Sequence, residues 1–438
     1  MNTNTNIDVA IVGGGIVGLV LALGLLRRGF QVKIYEKARE FHEIGAGVAF
    51  TANAQRCMEL LDPHILEAMR KVANKNPNDH YQYVDGYNHQ SDDPADNKEE
   101  LLFQIYAGDV GFDGCHRAHF LDKLVSLLPS GVVEFQRRFN SYHDPGNGQK
   151  LALEFADGSR AEADLVVGCD GIESRVRQTM FGNENPVSHA QYSHKVAYRG
   201  LIPMDRAVTA LGRDRAFNQC MHMEPRAHIL NFPVAMHTML NVVAFVDDPS
   251  DWSIEGKMDV PASRDEVVAA FAGWGPAVRT MVDLLPDELT KWAIFDTYDH
   301  PAPSYALGRV CLAGDAAHAS SPHHGAGAGF GVEDALALSE LLEQARDTLE
   351  HNTLINKAEM IAANLQAYSK ARHERGQWLV QSSREVCEVY EWAHSATGGE
   401  PDKCKQEIEW RAHRIWYFDI EGMLKDAKDD FRRRLEEA

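Results

Sequence analysis

Three glycine-centred segments and one isolated arginine carry the chemistry available to this sequence. The first segment is Gly13-x-Gly15-x-x-Gly18. In such a spacing the first glycine permits a tight turn, the second lets backbone approach a pyrophosphate, and the third lets helix and strand pack closely. The helix that follows offers free N–H groups and the positive end of its dipole to phosphate. Glu36, where the next strand ends, suits a ribose hydroxyl; an acidic group there favours FAD or NAD over a 2′-phosphorylated nucleotide. The second segment, Cys169-Asp170-Gly171, closes an apolar run at the end where ligands gather in open α/β sheets. Taken alone it reads as an ordinary Asp-Gly turn. The third, Gly314-Asp315-Ala316-Ala317-His318, runs on to Gly325, Gly327, Gly329 and Gly331. Alternate glycines leave N–H groups bare beside a helix start, which suits a planar ring with partial negative charge; a flexible loop before a helix is the competing reading. Arg199 stands mid-strand in VAYRGL, where an unpaired charge is expensive to bury. It needs either a structural carboxylate or a ligand oxyanion.

The elements that must position these groups are legible in outline. Ile7–Val12 reads as a buried strand, Ile16–Arg28 as a helix stopped at Gly29, and Gln31–Tyr35 as a second strand. Ala52–Leu61 and Phe120–Leu128 have helical patterns. The polar, acidic stretch Asn76–Glu100 reads as an insertion or mobile loop. Leu151–Val167 reads as a hairpin about Asp157-Gly158. Val196–Leu201, His228–Phe232 and Met239–Phe245 suggest a largely antiparallel sheet, Arg309–Ala313 one more buried strand, and the chain after Glu333 helices. The aromatic stripe between Ile408 and Leu435 reads as helix packed on its own domain. The expected fold class is α/β: a Rossmann-like FAD-binding domain (1–75, 106–185, 296–345) interleaved with a mixed β-sheet substrate domain (76–105 as a loop or insertion, then 186–295), and a helical C-terminal region (346–438).

Composition bounds the function classes. The 438 residues carry 44 Lys+Arg against 64 Asp+Glu, a net charge of −20. So acidic a body disfavours nucleic acid as a partner. Seven scattered cysteines without a CxxC pair argue against a disulfide framework and a zinc ribbon, and no metal site is expected. Val9–Leu26 is an eighteen-residue uncharged run that reaches the length of a membrane span. Its central glycines and Glu36 behind it make it the first strand and helix of a nucleotide site instead, so a soluble, cytoplasmic chain with no membrane span and no targeting segment is expected.

The order GxGxxG, then DG, then GD resembles the group A flavoprotein monooxygenases, the para-hydroxybenzoate and salicylate hydroxylase type, across essentially the whole chain. HEIGAGVAFTANAQRCMELLDP, GFDGCHRAHFL, HKVAYRGLIPM, DTYDHPAP and GDAAHASSPHHGAGAGFGVEDA look most like the fungal dearomatising hydroxylases of sorbicillinoid, azaphilone and tropolone biosynthesis. The resemblance implies FAD held by Gly13, Gly15, Gly18 and Glu36, with Arg117, Asp170 and Asp315 at the cofactor and the backbone of Ala49 and Ala328 beside it. It implies Arg199 as the group stabilising a substrate phenolate, His323 as a proton-handling residue, and Phe112, His228, Phe232 and Pro322 on the substrate face. Some members carry tyrosine where Phe112 or Phe232 stands here, which leaves facial selectivity open.

The implied reaction uses NADH or NADPH, bound transiently because no second glycine fingerprint exists, and O2. A C4a-hydroperoxyflavin hydroxylates an electron-rich, resorcinol-type, polyketide-derived ring, with loss of aromaticity. Alternatives are an ordinary salicylate-type hydroxylase and a non-catalytic binding protein of the same fold. The partners expected are a small phenolic molecule and O2, and a homodimer is compatible with the sequence.

Overall fold

The computed structural model describes residues 6–41, 47–76, 78–91, 93, 99–108, 112–254, 256–351 and 355–437, excluding the side chain of Phe112. Strand β1 (Asp8–Val12), helix α1 (Ile16–Arg27) and strand β2 (Gln31–Tyr35) follow one another as the sequence predicts. β1 is apolar and buried after its first residue, the pattern of a strand covered on both faces. It pairs in parallel with β2 and with Leu165–Gly168, which pairs in parallel with Val310–Leu312. Among the described residues this sheet has six strands, edged by Val133–Glu134 and by an antiparallel Ala306–Leu307.

α1 is almost wholly buried between that sheet and the long helix Gly327–His351. Its apolar character on every side follows from this double cover. At 12 residues it spans about 18 Å, well short of the ~30 Å hydrocarbon core of a bilayer. No helix among the described residues is long and apolar enough to cross a membrane.

Among the described residues a second sheet has eight strands. It runs Asp259–Ser263, Glu288–Asp296, Gln191–Pro203, Met239–Asp247, Ala227–Val234, Cys220–Glu224, His80–Asp85, Glu100–Tyr106. Only the Cys220–Glu224/His80–Asp85 pair is parallel.

Two expectations are corrected here. The polar stretch 76–100 is not merely a loop: His80–Asp85 is a buried strand inside the sheet. Its polar side chains find hydrogen-bond partners, Gln82 Nε2 donating to Asp214 and Asp85 accepting from Asn88, so polarity did not mean exposure. The second half of the supposed hairpin also divides. Leu151–Phe155 and Arg160–Ala163 do form a hairpin about Gly158. Leu165–Gly168 then leaves it for the six-stranded sheet, turning at Asp164, whose carboxylate accepts from the backbone N–H of Asp8.

The C-terminal part is helical as expected: Gly327–His351, Lys357–Tyr390, Pro401–Trp416 and Ile420–Glu437. Ile408, Ile415, Met423 and Phe431 pack inward, while Trp410 and Tyr417 stay exposed. All seven cysteines are buried free thiols.

Candidate active site

A cavity of about 850 Å³ opens where the C-terminal ends of the parallel strands meet the eight-stranded sheet. Gly13, Gly15, Glu36, Ala49, Arg117, Asp170, Asp315, Ala328, Pro322, Arg199 and Phe232 all line it. Gly18, His228 and His323 are not on its wall. The side chain of Phe112, and His42 to Ala46 of the HEIGAG segment, lie outside the described residues.

At one end the glycine turn is built by close approach. Gly13 has φ +102°, and a Cβ there would stand 2.4 Å from the carbonyl oxygen of Cys169. A Cβ on Gly18 would meet the Gly13 carbonyl oxygen at 2.1 Å, whereas one on Gly15 would meet nothing within 4 Å. The first turn of α1 has no side-chain cap and no acidic residue, so its N–H groups remain available beside the cavity. The Glu36 carboxylate accepts from the N–H groups of Gly14 (2.7 Å) and Ala38 (2.8 Å), tying the end of β2 to the turn.

Asp170 accepts from Ser174 Oγ (2.6 Å) and from the N–H groups of Arg175 (2.7 Å) and Val176 (3.1 Å). It thereby starts the helix Arg175–Phe181 as well as facing the cavity. Burial pushes its carboxyl above the ordinary range, against those hydrogen bonds.

Behind Asp315 sits a network the sequence reading missed. Asp334 accepts from Gly314 N–H (2.9 Å) and Arg372 Nε (2.7 Å) and contacts His318 Nε2 (2.6 Å); Glu333 pairs with Arg372 and Arg375. Burial opposes ionisation of Asp334, but His318 and Arg372 hold its carboxyl down at about 2. The signal was present: two adjacent carboxylates inside an apolar helix demand buried cations. The glycine run also divides. Gly325 and Gly327 line the cavity, but Cβ atoms on Gly329 and Gly331 would meet Ala54 at 3.1 Å and Val17 at 2.3 Å. Those two serve helix packing and do not present bare N–H groups.

The other end is the face of the eight-stranded sheet. Arg199 pairs across to Val243, and Val243 to Leu230; all three side chains line the cavity, flanked by Phe232 and Phe245. Arg199 makes no ion pair with a carboxylate among the described residues, and its Nε has no hydrogen-bond partner. Its guanidinium lies over the Trp292 ring, 5.4 Å from the centroid. Burial, and secondarily the charge of Arg117, lower its pKa to about 10, so it is still a cation at neutral pH. Among the described residues, then, Arg199 has no structural salt bridge, the reading that the sequence left open.

His228 and His323 stand behind this face. The ring of Phe245, on the cavity wall, packs on both, 4.5 Å and 4.8 Å between centroids. Burial lowers the pKa of each below the ordinary histidine value. With Cys387 they place three ligand-type atoms within 4.8 Å of one another, a juxtaposition the sequence spacing concealed.

The model of the FAD binding domain family matches residues 6–383. The chain belongs to this FAD-binding family. It is 54% identical over 430 residues to an FAD-dependent monooxygenase, pigN, of Monascus ruber, covering 98% of each chain. It is 47% identical to a salicylate hydroxylase of Sarocladium schorii, covering 98% of this chain and 91% of that one. Among solved structures, a salicylate hydroxylase in substrate complex superposes with a TM-score of 0.82 at 32% identity, covering 97% of this chain and 98% of the other.

The protein is thus an FAD-dependent monooxygenase of the aromatic, salicylate hydroxylase type. The residues present fit FAD chemically. Uncapped helix N–H groups suit a pyrophosphate, a carboxylate at the end of β2 suits a ribose, and Gly325 and Gly327 open the wall for a flat ring.

Proposed function

We propose that this flavoprotein hydroxylates an electron-rich phenolic ring of resorcinol type at a carbon that already bears a substituent, giving a dienone in place of a phenol. The observation that carries the reading is Arg199: a buried cation on an otherwise apolar cavity face, without a carboxylate partner among the described residues. A cation so placed attracts a phenolate, and an opposite charge within ~4–6 Å lowers a pKa by about 1–3 units. The ring carbons of a phenolate are far more nucleophilic than those of the phenol. Leu230, Phe232, Val243 and Phe245 exclude water and hold the ring by its faces. Gly13, Gly15 and Glu36, with Arg117, Asp170, Asp315, Ala49 and Ala328, hold FAD, and Gly18 packs the helix beneath it. Bound there, FAD would supply the electrophilic oxygen, with NADH or NADPH as the reductant and O2 as the oxygen source. The names of the relatives favour a second reading: Arg199 would equally pair with the carboxylate of a salicylate-like acid.

A panel of alkylated resorcinols and salicylate, assayed by NAD(P)H oxidation with product mass and NMR, separates the two. Gain of one oxygen with loss of aromatic signals supports dearomatisation. Loss of CO2, or a product that stays aromatic, overturns it in favour of the salicylate-type reaction. A protein that binds no flavin overturns both.

A further inference from the structure

Three side chains from three separate segments converge behind the cavity wall. His228 lies on the strand Ala227–Val234, His323 in the turn Pro322–His324 and Cys387 on the helix Lys357–Tyr390. One nitrogen of each ring and the Cys387 Sγ stand within 4.8 Å of one another, and all three residues are buried. Among the described residues this is the one such convergence of metal-ligating groups.

The atoms are spaced as a small tetrahedral ion requires. Two nitrogens, each about 2.0–2.1 Å from such an ion, stand about 3.3–3.4 Å apart. His228 Nε2 and His323 Nδ1 are 3.3 Å apart. Sulfur selects against magnesium and calcium, and imidazole with thiolate suits zinc. The outer contacts fit as well. His228 Nδ1 lies 3.0 Å from Glu391 Oε1, so the ring donates there and turns the lone pair of Nε2 toward the cluster. A carboxylate behind a histidine is the usual support of a zinc ligand. Burial keeps both imidazoles neutral, the form that binds metal. Burial also holds Cys387 as a thiol, its Sγ donating to Glu391 Oε1 at 3.4 Å. The nearby cations are already paired: Lys195 with Glu391 and Asp247, Arg384 with Asp296 and Asp299. Lys195 is 19% exposed and Asp247 34%, which marks the side from which an ion reaches the cluster.

We propose that His228, His323 and Cys387 bind a zinc-class divalent ion, with Glu391 supporting His228 and water in the fourth position. On binding, Cys387 releases its S–H proton to solvent and its thiolate bonds the ion. His228 gives the lone pair of Nε2 and His323 that of Nδ1, with the single ring proton of His323 on Nε2. The ion sheds one water for each protein ligand, and no electrons are transferred. Charge balances over the cluster: the two charges of the ion and that of Lys195 meet those of Cys387, Glu391 and Asp247. The bound ion ties the turn Pro322–His324, whose Pro322 lines the cavity, to a strand of the eight-stranded sheet and to a C-terminal helix. The site clamps the cavity wall without touching what the cavity holds, and it stands whichever phenol or acid the enzyme accepts.

The test uses the FAD-loaded protein, passed over chelating resin and given one equivalent of Zn2+ or Co2+, with Mg2+ as control. Wild type is expected to retain one Zn2+ per chain through gel filtration and to melt at a higher temperature with it. Co2+ should give intense d–d bands to the red of the flavin spectrum, the mark of a tetrahedral site. Cys387→Ala should lose those bands and weaken Zn2+ by more than the about 10–100-fold expected of Glu391→Gln. Cys404→Ala, which removes a different buried thiol, should behave as wild type. Zinc K-edge absorption reads the wild-type protein directly, should Cys387→Ala fail to fold. It is expected to show one sulfur at about 2.3 Å and nitrogens at about 2.0–2.1 Å. No retained Zn2+, equal retention of Mg2+, a shell of oxygen and nitrogen alone, or Co2+ bands that survive Cys387→Ala each overturn the site.

Discussion

The guanidinium of Arg199 lies over the ring of Trp292, 5.4 Å from its centroid, and no carboxylate among the described residues neutralises it. A ring face offers a buried cation partial compensation, about 0.5–2 kcal/mol, without occupying the hydrogen-bonding edge. The charge is thus kept in place for a ligand. Arg199→Ala is expected to retain FAD absorbance while kcat/KM falls by about 10²–10³-fold. Its pH–rate profile should move to higher pH, because the phenol must then ionise unaided. Trp292→Leu should raise KM several-fold with a smaller change in kcat. Steady-state turnover between pH 6 and 10 checks both, and undiminished activity in Arg199→Ala sinks the assignment.

Gly15 and Gly18 share a motif but separate by what they touch. A Cβ at Gly18 would stand 2.1 Å from a backbone oxygen, while one at Gly15 meets no atom within 4 Å. Gly18→Ala must therefore push α1 off β1, costing stability of several kcal/mol by overpacking along with FAD binding. Gly15→Ala should leave the melting temperature of the apoprotein unchanged and weaken FAD alone, since its methyl fills only the space that a pyrophosphate would need. Thermal melts of apoprotein and a flavin titration read the contrast. Equal melting temperatures for the two variants would count against it.

How far the sequence reaches is set by the range of the interaction. The β1-α1-β2 unit and its glycines were legible because local periodicity and turn chemistry act within about thirty residues. The strand-end motifs around Asp170 and Asp315 were legible for the same reason. His80–Asp85 was not, because Gln82 finds its partner at Asp214, far along the chain, which spacing cannot reveal. Nor was Glu391, which meets Lys195 and His228 across more than 160 residues of chain. Gly329 and Gly331 misled in the other direction: their alternation looked like a cradle, but they answer to Ala54 and Val17 on other elements.

The Phe232 ring is held against backbone from two sides. A Cβ on Gly47 would lie 2.7 Å and 2.9 Å from two of its ring carbons, and one on Gly114 3.3 Å from another. Gly47→Ala should therefore drive the ring into the cavity and shrink its substrate end. The expected outcome is retained FAD, with kcat/KM falling more for alkylated resorcinols than for the unsubstituted ring. A uniform loss across both would mean that Phe232 does not shape the site.

Glu224 gives a stability effect whose sign can be worked out. It is buried, its Oε2 has no hydrogen-bond partner, and burial followed by the nearby Asp85 raises its pKa from 4.5 to about 9. Asp85 accepts from the N–H groups of Tyr87 and Asn88 and from Asn88 Nδ2, and so offers Glu224 no cation. Between pH 4.5 and about 9 the folded protein holds a proton on Glu224 that the unfolded chain has lost. Stability therefore falls as pH rises through that window. Glu224→Gln never ionises in either state and removes this slope. The variant should melt close to wild type near pH 4.5 and about 1–3 °C higher at pH 8.5. Melting curves of both proteins at the two pH values decide it, and a variant whose pH slope parallels wild type would place the Glu224 carboxylate in contact with water.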